Sequence, residues 1–218
     1  MSRGRVEVGL GAGWYEDEHD AYGLPFPAAR ARYDLLEDQL EILQGVWSAR
    51  SEGLFDFTGR TCSVHLEPGS LRPFQRPRPP IILGGAGGPR NARLAATFAD
   101  EFNAPFVPLE QVKVAHGAVR RCCEAAGRDP TGLMWSVAQV LCCGRSEAEV
   151  AKRAGAIGRD PAELRKNGLA GSPQEVLDKM ATFAEAGVRR FYLQVLDLSD
   201  LDHLRLVAED LLPQYRSL

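Results

Sequence analysis

No apolar run in the chain approaches the roughly eighteen residues that a membrane span requires, so no membrane association is expected. No charge of one sign dominates either. With 26 Lys and Arg against 29 Asp and Glu, the net charge of −3 supplies no broad positive field for a phosphate backbone, and nucleic acid is not an expected partner. None of the five cysteines is spaced C-x-x-C. Four stand as adjacent pairs, Cys122-Cys123 and Cys142-Cys143, which suits reduced thiols and not a zinc or redox motif. The histidines have no ligand partner at i+4 and no H-x-x-E pattern, so no metal site is expected. The start, Met1-Ser2-Arg3-Gly4-Arg5, runs straight into Val6-Glu7-Val8 without the apolar stretch of a secretory leader, which points to a cytoplasmic location. There is no repeat of fixed length and no low-complexity tail.

What is present is alternation. Residues 5–10 read as a strand, and Tyr33 to Trp47 as a helix with Leu36, Leu40, Leu43 and Trp47 on one stripe. Pro80 to Leu83 is a second strand, followed by a helix from Pro89. Residues 100–104 lead to a helix carrying Val112, Ala115, Val119, Cys122 and Ala126 on one face. Leu133 to Cys142 is rich in β-formers, and Val188 to Leu196 is the last strand. Ser146 with Glu149, and Ser172 with Glu175 behind Pro173, have the spacing of capping boxes. A final helix places Leu201, Leu204, Ala208 and Leu211 on one side. Such βα units imply a parallel sheet under helices, either doubly wound or closed as a (β/α)₈ barrel. About five strands are counted where a barrel needs eight. The whole of 1–218 reads as one domain with an insertion near 50–79, which holds a small hairpin at 54–64 and the proline-rich Leu71 to Pro80.

Two glycine clusters stand at strand ends. Gly9-Leu10-Gly11-Ala12-Gly13 lacks the third glycine of a dinucleotide fingerprint, and the carboxylates between Glu16 and Asp20 would repel a pyrophosphate. It reads as a tight strand exit whose bare backbone also admits a flat ring. Gly84-Gly85-Ala86-Gly87-Gly88 joins a strand to a helix start, where free amides and the helix dipole favour an anion, with Arg90 able to add charge; a ligand-free flexible turn is the alternative. His65, His116 and His203 read as surface or satisfied core residues. His19 lies on the loop that opens on the catalytic face of a barrel. Arg72 to Pro80 reads as an extended linker.

Together, GRVEVGLGAGWYEDEHDAYGLPFP (4–27), RYDLLEDQLEILQGVW (32–47), PPIILGGAGGPRNARLAATFADEFN (79–103), LAGSPQEVLDKMATFAEAGVRRFYLQVLD (169–197) and LDHLRLVAEDLLP (201–213) resemble the luciferase-like monooxygenase superfamily, in its branch of coenzyme F420-dependent oxidoreductases. The resemblance implies a TIM-barrel-like (β/α)₈ fold of which the present strands are the fourth to eighth equivalents. It implies F420 as cofactor, with FMN as the alternative, and hydride transfer to or from an organic substrate. An FMN-dependent monooxygenase and a non-catalytic truncated barrel serving binding or assembly are the other readings. Carried over residue by residue, Gly11, Gly13 and Glu16 become ring or side-chain contacts, and Gly84, Gly85, Ala86 and Gly87 a phosphate-side cradle. Asn103 and Asp197 are substrate candidates, and Glu16 and His19 are candidates for orienting ring or substrate. The family's second- and third-strand residues have no counterpart to assign. A barrel without three strands is expected to expose its edges at 5–10 and 188–196 and to associate through them as a homo-oligomer. It is also expected to leave Leu133, Val137, Val140, Phe191, Leu193 and Val195 partly wet.

Overall fold

The computed structural model describes residues 2–48, 55–67 and 73–215. Its main sheet is parallel and runs in the order β1 (Val8–Leu10), β4 (Ile81–Gly84), β5 (Glu101–Pro105), β6 (Met134–Cys143), with β8 (Arg190–Gln194) on β6. These are the five expected strands. A sixth, β7 (Leu169–Gly171), pairs with Leu141 to Cys143 at the far end of β6. Leu169-Ala170-Gly171 holds no β-branched or aromatic residue that would mark a strand. The hairpin of β2 (Phe55–Thr58) and β3 (Ser63–Leu66) forms a separate antiparallel ribbon outside this sheet. Its turn is tied to α2 (Ala29–Ser48) by Asp38, whose carboxylate accepts from Thr61 N and Thr61 Oγ1, each at 2.6 Å. Leu71 and Arg72 of the proline-rich stretch lie outside the described residues.

Helices α3 (Pro89–Phe98) and α4 (Leu109–Ala125) cover the convex side. Ile81, Leu83, Phe102, Ala104, Trp135 and Val137 point at them and at α2, and the core there includes Leu36, Leu40, Leu94, Val112, Ala115 and Val119. Beyond Gln139 both faces of β6 are covered. Val140 and Cys142 pack on α5 (Glu147–Ala156) and α6 (Pro161–Asn167), whereas Leu141 and Cys143 pack on α7 (Pro173–Glu185) and on the helical stretch that begins with α8 (Leu201–Leu206). Helical cover therefore buries Leu133, Val137 and Val140, correcting the expectation that they would be partly wet; Phe191, Leu193 and Val195 are half-buried.

Two local expectations change with tertiary context. Ser172 and Glu175 form the full reciprocal capping box, but Glu149 gives its carboxylate to the Arg145 amide at 2.9 Å and so leaves Ser146 as a one-sided cap. In α8 the buried residues are His203 and Leu206, not Leu201 and Leu204. The Cys143 amide donates to His203 Nε2 at 3.0 Å, and that bond turns the helix so that both leucines face solvent. A π turn, Val207–Leu211, then carries the chain into Leu212–Tyr215.

The opposite, concave face is polar where a barrel interior would begin. Register places Glu101 and Asn103 on one face with Ser136, Arg190 and Tyr192. Arg190 Nη1 donates to Glu101 at 2.6 Å and to Glu7 at 2.7 Å, and the Tyr192 hydroxyl donates to Glu101 at 2.9 Å. Glu7 precedes β1 and Arg190 opens β8, four strand positions away. In a flat sheet those strands would stand roughly 19 Å apart, beyond the reach of one arginine. The sheet is therefore curled into an arc.

Arg190→Met would leave the Glu101 carboxylate, 4% exposed, without its cation. An expected loss of about 3 kcal/mol in urea unfolding follows, and the double variant R190M/E101M should recover most of it. His116 supplies a second test. Its ring is packed by Phe102 and Trp135, neither nitrogen has a hydrogen-bond partner, and burial first, then the Arg120 charge, lowers its pKa from 6.5 to about 4. Above pH about 6.5 both folded and unfolded chains hold it neutral; as pH falls from there to about 4, only the unfolded chain takes up the proton. Stability should drop by up to about 3 kcal/mol across that window. Part of the slope, seen in urea melts at stepped pH, should vanish in His116→Leu; the remainder includes His203, whose pKa burial also lowers.

Candidate active site

In the glycine cluster after β4, alternate backbone amides are already committed inside the protein. The Gly85 amide donates to the Asn103 carbonyl at 3.0 Å, and the Gly87 amide to Asn91 Oδ1 at 3.1 Å. Asn91 Nδ2 returns a bond to the Gly84 carbonyl at 3.2 Å. One buried amide side chain in the first turn of α3 thus ties both ends of the loop. The two glycines have no room for a side chain. A Cβ on Gly85 would lie 2.5 Å from Asn91 Oδ1, and one on Gly87, at φ 72°, would lie 2.6 Å from the Ala115 Cα. Among the described residues, the amides of Ala86 and Gly88, and those of Arg90 and Asn91 in the first turn of α3, have no partner. These, not the amides of Gly85 and Gly87, are the donors left for an anion.

Arg90 does not add its charge to this loop. Its Nη2 donates to Asp34 and Glu37 of α2, each at 2.6 Å, and those carboxylates lie well below their usual range because of that bond first. Its work is to fix the start of α3 against α2. Asn91 is the residue that sequence reasoning missed; the readable signal is an asparagine in the first turn of a helix that follows a glycine loop.

Gly11 lies beside the cradle, since a Cβ there would meet the Gly84 carbonyl at 3.9 Å. Gly13, at φ 78°, faces the ring of His19, which a Cβ would meet at 3.6 Å. His19 stands on α1 (Glu16–Ala21), and its Nδ1 pairs with the Tyr15 carbonyl at 2.9 Å. A carbonyl only accepts, so Nδ1 carries the proton and Nε2 is the free acceptor. Arg32 anchors this loop from α2, donating to the Ala12 carbonyl at 3.1 Å and to the Pro27 carbonyl at 2.5 Å. Glu16 is exposed in the first turn of α1.

Asn103 donates to Ser136 Oγ at 2.8 Å, which joins β5 to β6 on the concave face. Asp197 belongs elsewhere. Its carboxylate accepts from Ser199 N at 3.0 Å and Oγ at 2.7 Å, and the Ser199 hydroxyl bond is the first cause of its lowered pKa. It lines a separate groove of about 580 Å³ where four cations, Arg145, Lys152, Arg153 and Arg205, meet five carboxylates, Asp197, Asp200, Asp202, Glu149 and Glu209, leaving no net attraction for an anion. The structure therefore assembles Gly11 with Gly84 to Gly87 and Asn103, pairs Gly13 with His19, and sets Asp197 apart. Among the described residues no helix is long and apolar enough to cross a membrane, and no cluster of ligating side chains could hold a metal.

Compared with known proteins, residues 1–162 match the family model described as luciferase-like monooxygenase. The chain belongs to that family. It is 27% identical over 219 residues to the F420-dependent hydroxymycolic acid dehydrogenase of Mycobacterium tuberculosis, covering 96% of this chain and 58% of that protein. To the FMNH2-dependent dimethylsulfone monooxygenase of Pseudomonas putida it is 30% identical over 128 residues, covering 57% of this chain and 33% of that protein. The chain thus spans little more than half of one luciferase-like relative and a third of the other. The crystal structure of a Streptomyces bottropensis monooxygenase superposes with a TM-score of 0.74 at 25% identity, covering 98% of this chain and 70% of the other. The coenzyme F420-dependent tetrahydromethanopterin reductase of Methanopyrus kandleri, with a TM-score of 0.76 at 17% identity over 98% of this chain and 75% of its own, shares the fold. The curled sheet is accordingly an arc of the luciferase-like TIM barrel, and the family's relatives use F420 in some cases and FMN in others.

Asn91→Ala should remove both bonds that shape the cradle and cost about 2 kcal/mol in chemical unfolding. Asn91→Asp should not recover that loss, because the oxygen replacing Nδ2 would face the Gly84 carbonyl, acceptor against acceptor, in a buried place.

Proposed function

We propose that the chain forms the cofactor-binding part of an F420-dependent oxidoreductase that moves a hydride to or from an organic substrate. The observation carrying this reading is the cradle at Gly84 to Gly88, where Gly85 and Gly87 leave no room for a side chain and the amides of Ala86 and Gly88 stand unpartnered just before the start of α3. That chemistry suits a phosphate. The amides of Ala86, Gly88, Arg90 and Asn91 would hold it, and the bare backbone of Gly11 and Gly13 would let a flat ring approach. A relative that aligns with 96% of the chain is named for F420, which favours the deazaflavin over FMN.

When bound, F420 supplies the hydride donor or acceptor; the protein supplies orientation. His19 is held in one tautomer by Tyr15 and offers Nε2 as a hydrogen-bond acceptor to ring or substrate. Glu16, unencumbered at the same mouth, offers a second acceptor. Neither has a partner that would mark it as the principal acid or base.

Separate fluorescence titrations with F420 and with FMN test the reading. F420 should bind weakly to this arc of strands, and Gly85→Ala and Gly87→Ala should each weaken it further by about tenfold or more, because the added Cβ would press on Asn91 or Ala115 and displace the loop that carries the free amides. Binding of FMN alone would favour the monooxygenase alternative. Binding of neither would favour a role in binding or assembly.

A further inference from the structure

Phe106, the residue after β5, holds a left-handed backbone conformation, with φ at 54°. For a bulky L side chain this is a strained choice, because Cβ is pressed toward the following carbonyl oxygen. Burial of the ring does not compensate. Phe106 is 40% exposed and is not among the residues of the core, whereas its neighbours Val107 and Leu109 pack against that core. The conformation is instead held from outside. The Phe106 amide donates to the Ala138 carbonyl at 2.8 Å, and Gln139 Nε2 donates to the Val107 carbonyl at 2.7 Å. Gln139 is almost fully buried, so an interior polar side chain is committed to fixing this exit.

The position is next to the proposed cofactor site. Gly85 is bonded to Asn103, three residues before Phe106 and roughly 10 Å back along the strand. The exit itself, Pro105-Phe106-Val107-Pro108, carries no charged or hydrogen-bonding side chain, nor does Ala138, the β6 partner of Pro105; the one polar side chain bonded to it is the buried Gln139. Strain held at a partly exposed aromatic, beside a site and outside the hydrophobic core, is the pattern expected when the side chain serves a ligand.

We propose that Phe106 is a specificity-determining residue whose ring forms an apolar wall for the organic substrate. That substrate then carries an aromatic or aliphatic body beside the group that exchanges the hydride. The substrate class rests on the hydride-transfer reading above; the role of the ring as an apolar wall rests on the geometry alone.

Saturation-transfer NMR with acetophenone as the probe tests this on the 218-residue chain and on Phe106→Gly, Phe106→Asn and Phe106→Leu. Glycine and asparagine accept the left-handed backbone, so both should melt at or above the parent temperature. Acetophenone saturation should fall about fivefold or more in both, and be kept within about twofold in the leucine variant, which retains an apolar wall. F420 and FMN titrations on the same samples should be unchanged by all three. The proposal is overturned if acetophenone shows no transfer with the parent, or equal transfer with the glycine and asparagine variants. A melting temperature lowered by more than about 4 °C in those two would also overturn it, since the ring would then be a packing element. A failed cofactor titration would remove the hydride-transfer reading alone, with the acetophenone comparison still deciding Phe106.

Discussion

Arg190 fixes the curvature on which the site depends. Glu101 is a carboxylate on the concave face with almost no contact with water, and it is tolerable only with a cation and a second donor beside it. Arg190 supplies the first and Tyr192 the second, while the same guanidinium reaches Glu7 across the arc. The Tyr192 hydroxyl, then Glu7 and the charge of Glu101, hold the proton on Arg190 more firmly than usual. A flatter sheet would break the contact with Glu7, and the two edge strands would separate. With the arc set, the exits of β1, β4 and β5 converge on one end, where Gly11, Gly84 and Asn103 become neighbours.

The convex side holds that end in place through α2. Asp34 and Glu37 take Arg90 from α3 and Arg60 from the hairpin, Asp38 caps the hairpin turn, and Arg32 reaches the β1 exit. One helix thereby anchors three segments that share no sheet pairing with it. Several of these contacts are partly exposed ion pairs, each contributing little to stability alone. Their value is positional, because the first turn of α3 must sit against the end of β4 for Asn91 to close the cradle.

Two kinds of surface meet at the mouth. The cradle is backbone, rigid and already bonded on its inner side, which suits a ligand group of constant shape such as a phosphate. The exit of β5 presents a side chain in a strained conformation, and α1 carries Glu16 and His19 with no buried residue of its own. Substrate choice on barrel enzymes resides in such loops, while the strands remain common to the family.

Local chemistry was legible from the chain itself. Apolar runs alternating with helical stripes placed the five main strands, proline and serine marked the start of α7, and the glycine clusters marked strand exits, because torsion and periodicity are properties of neighbouring residues. The luciferase-like family was legible for the same reason, through ordered local segments. Other features needed the fold. Arg190 finds Glu101 and Glu7 at separations of 89 and 183 residues. Arg90 turns from the anion loop to α2, and Glu149 leaves its cap for Arg145. His203 rotates α8 away from its leucine stripe, and His116 is buried against Phe102 and Trp135 with no hydrogen-bond partner for its nitrogens among the described residues. In each case a polar group had several chemically adequate partners in the sequence. Only the curl of the sheet and the packing of its helices decided which stood within about 3 Å, the range in which a hydrogen bond forms.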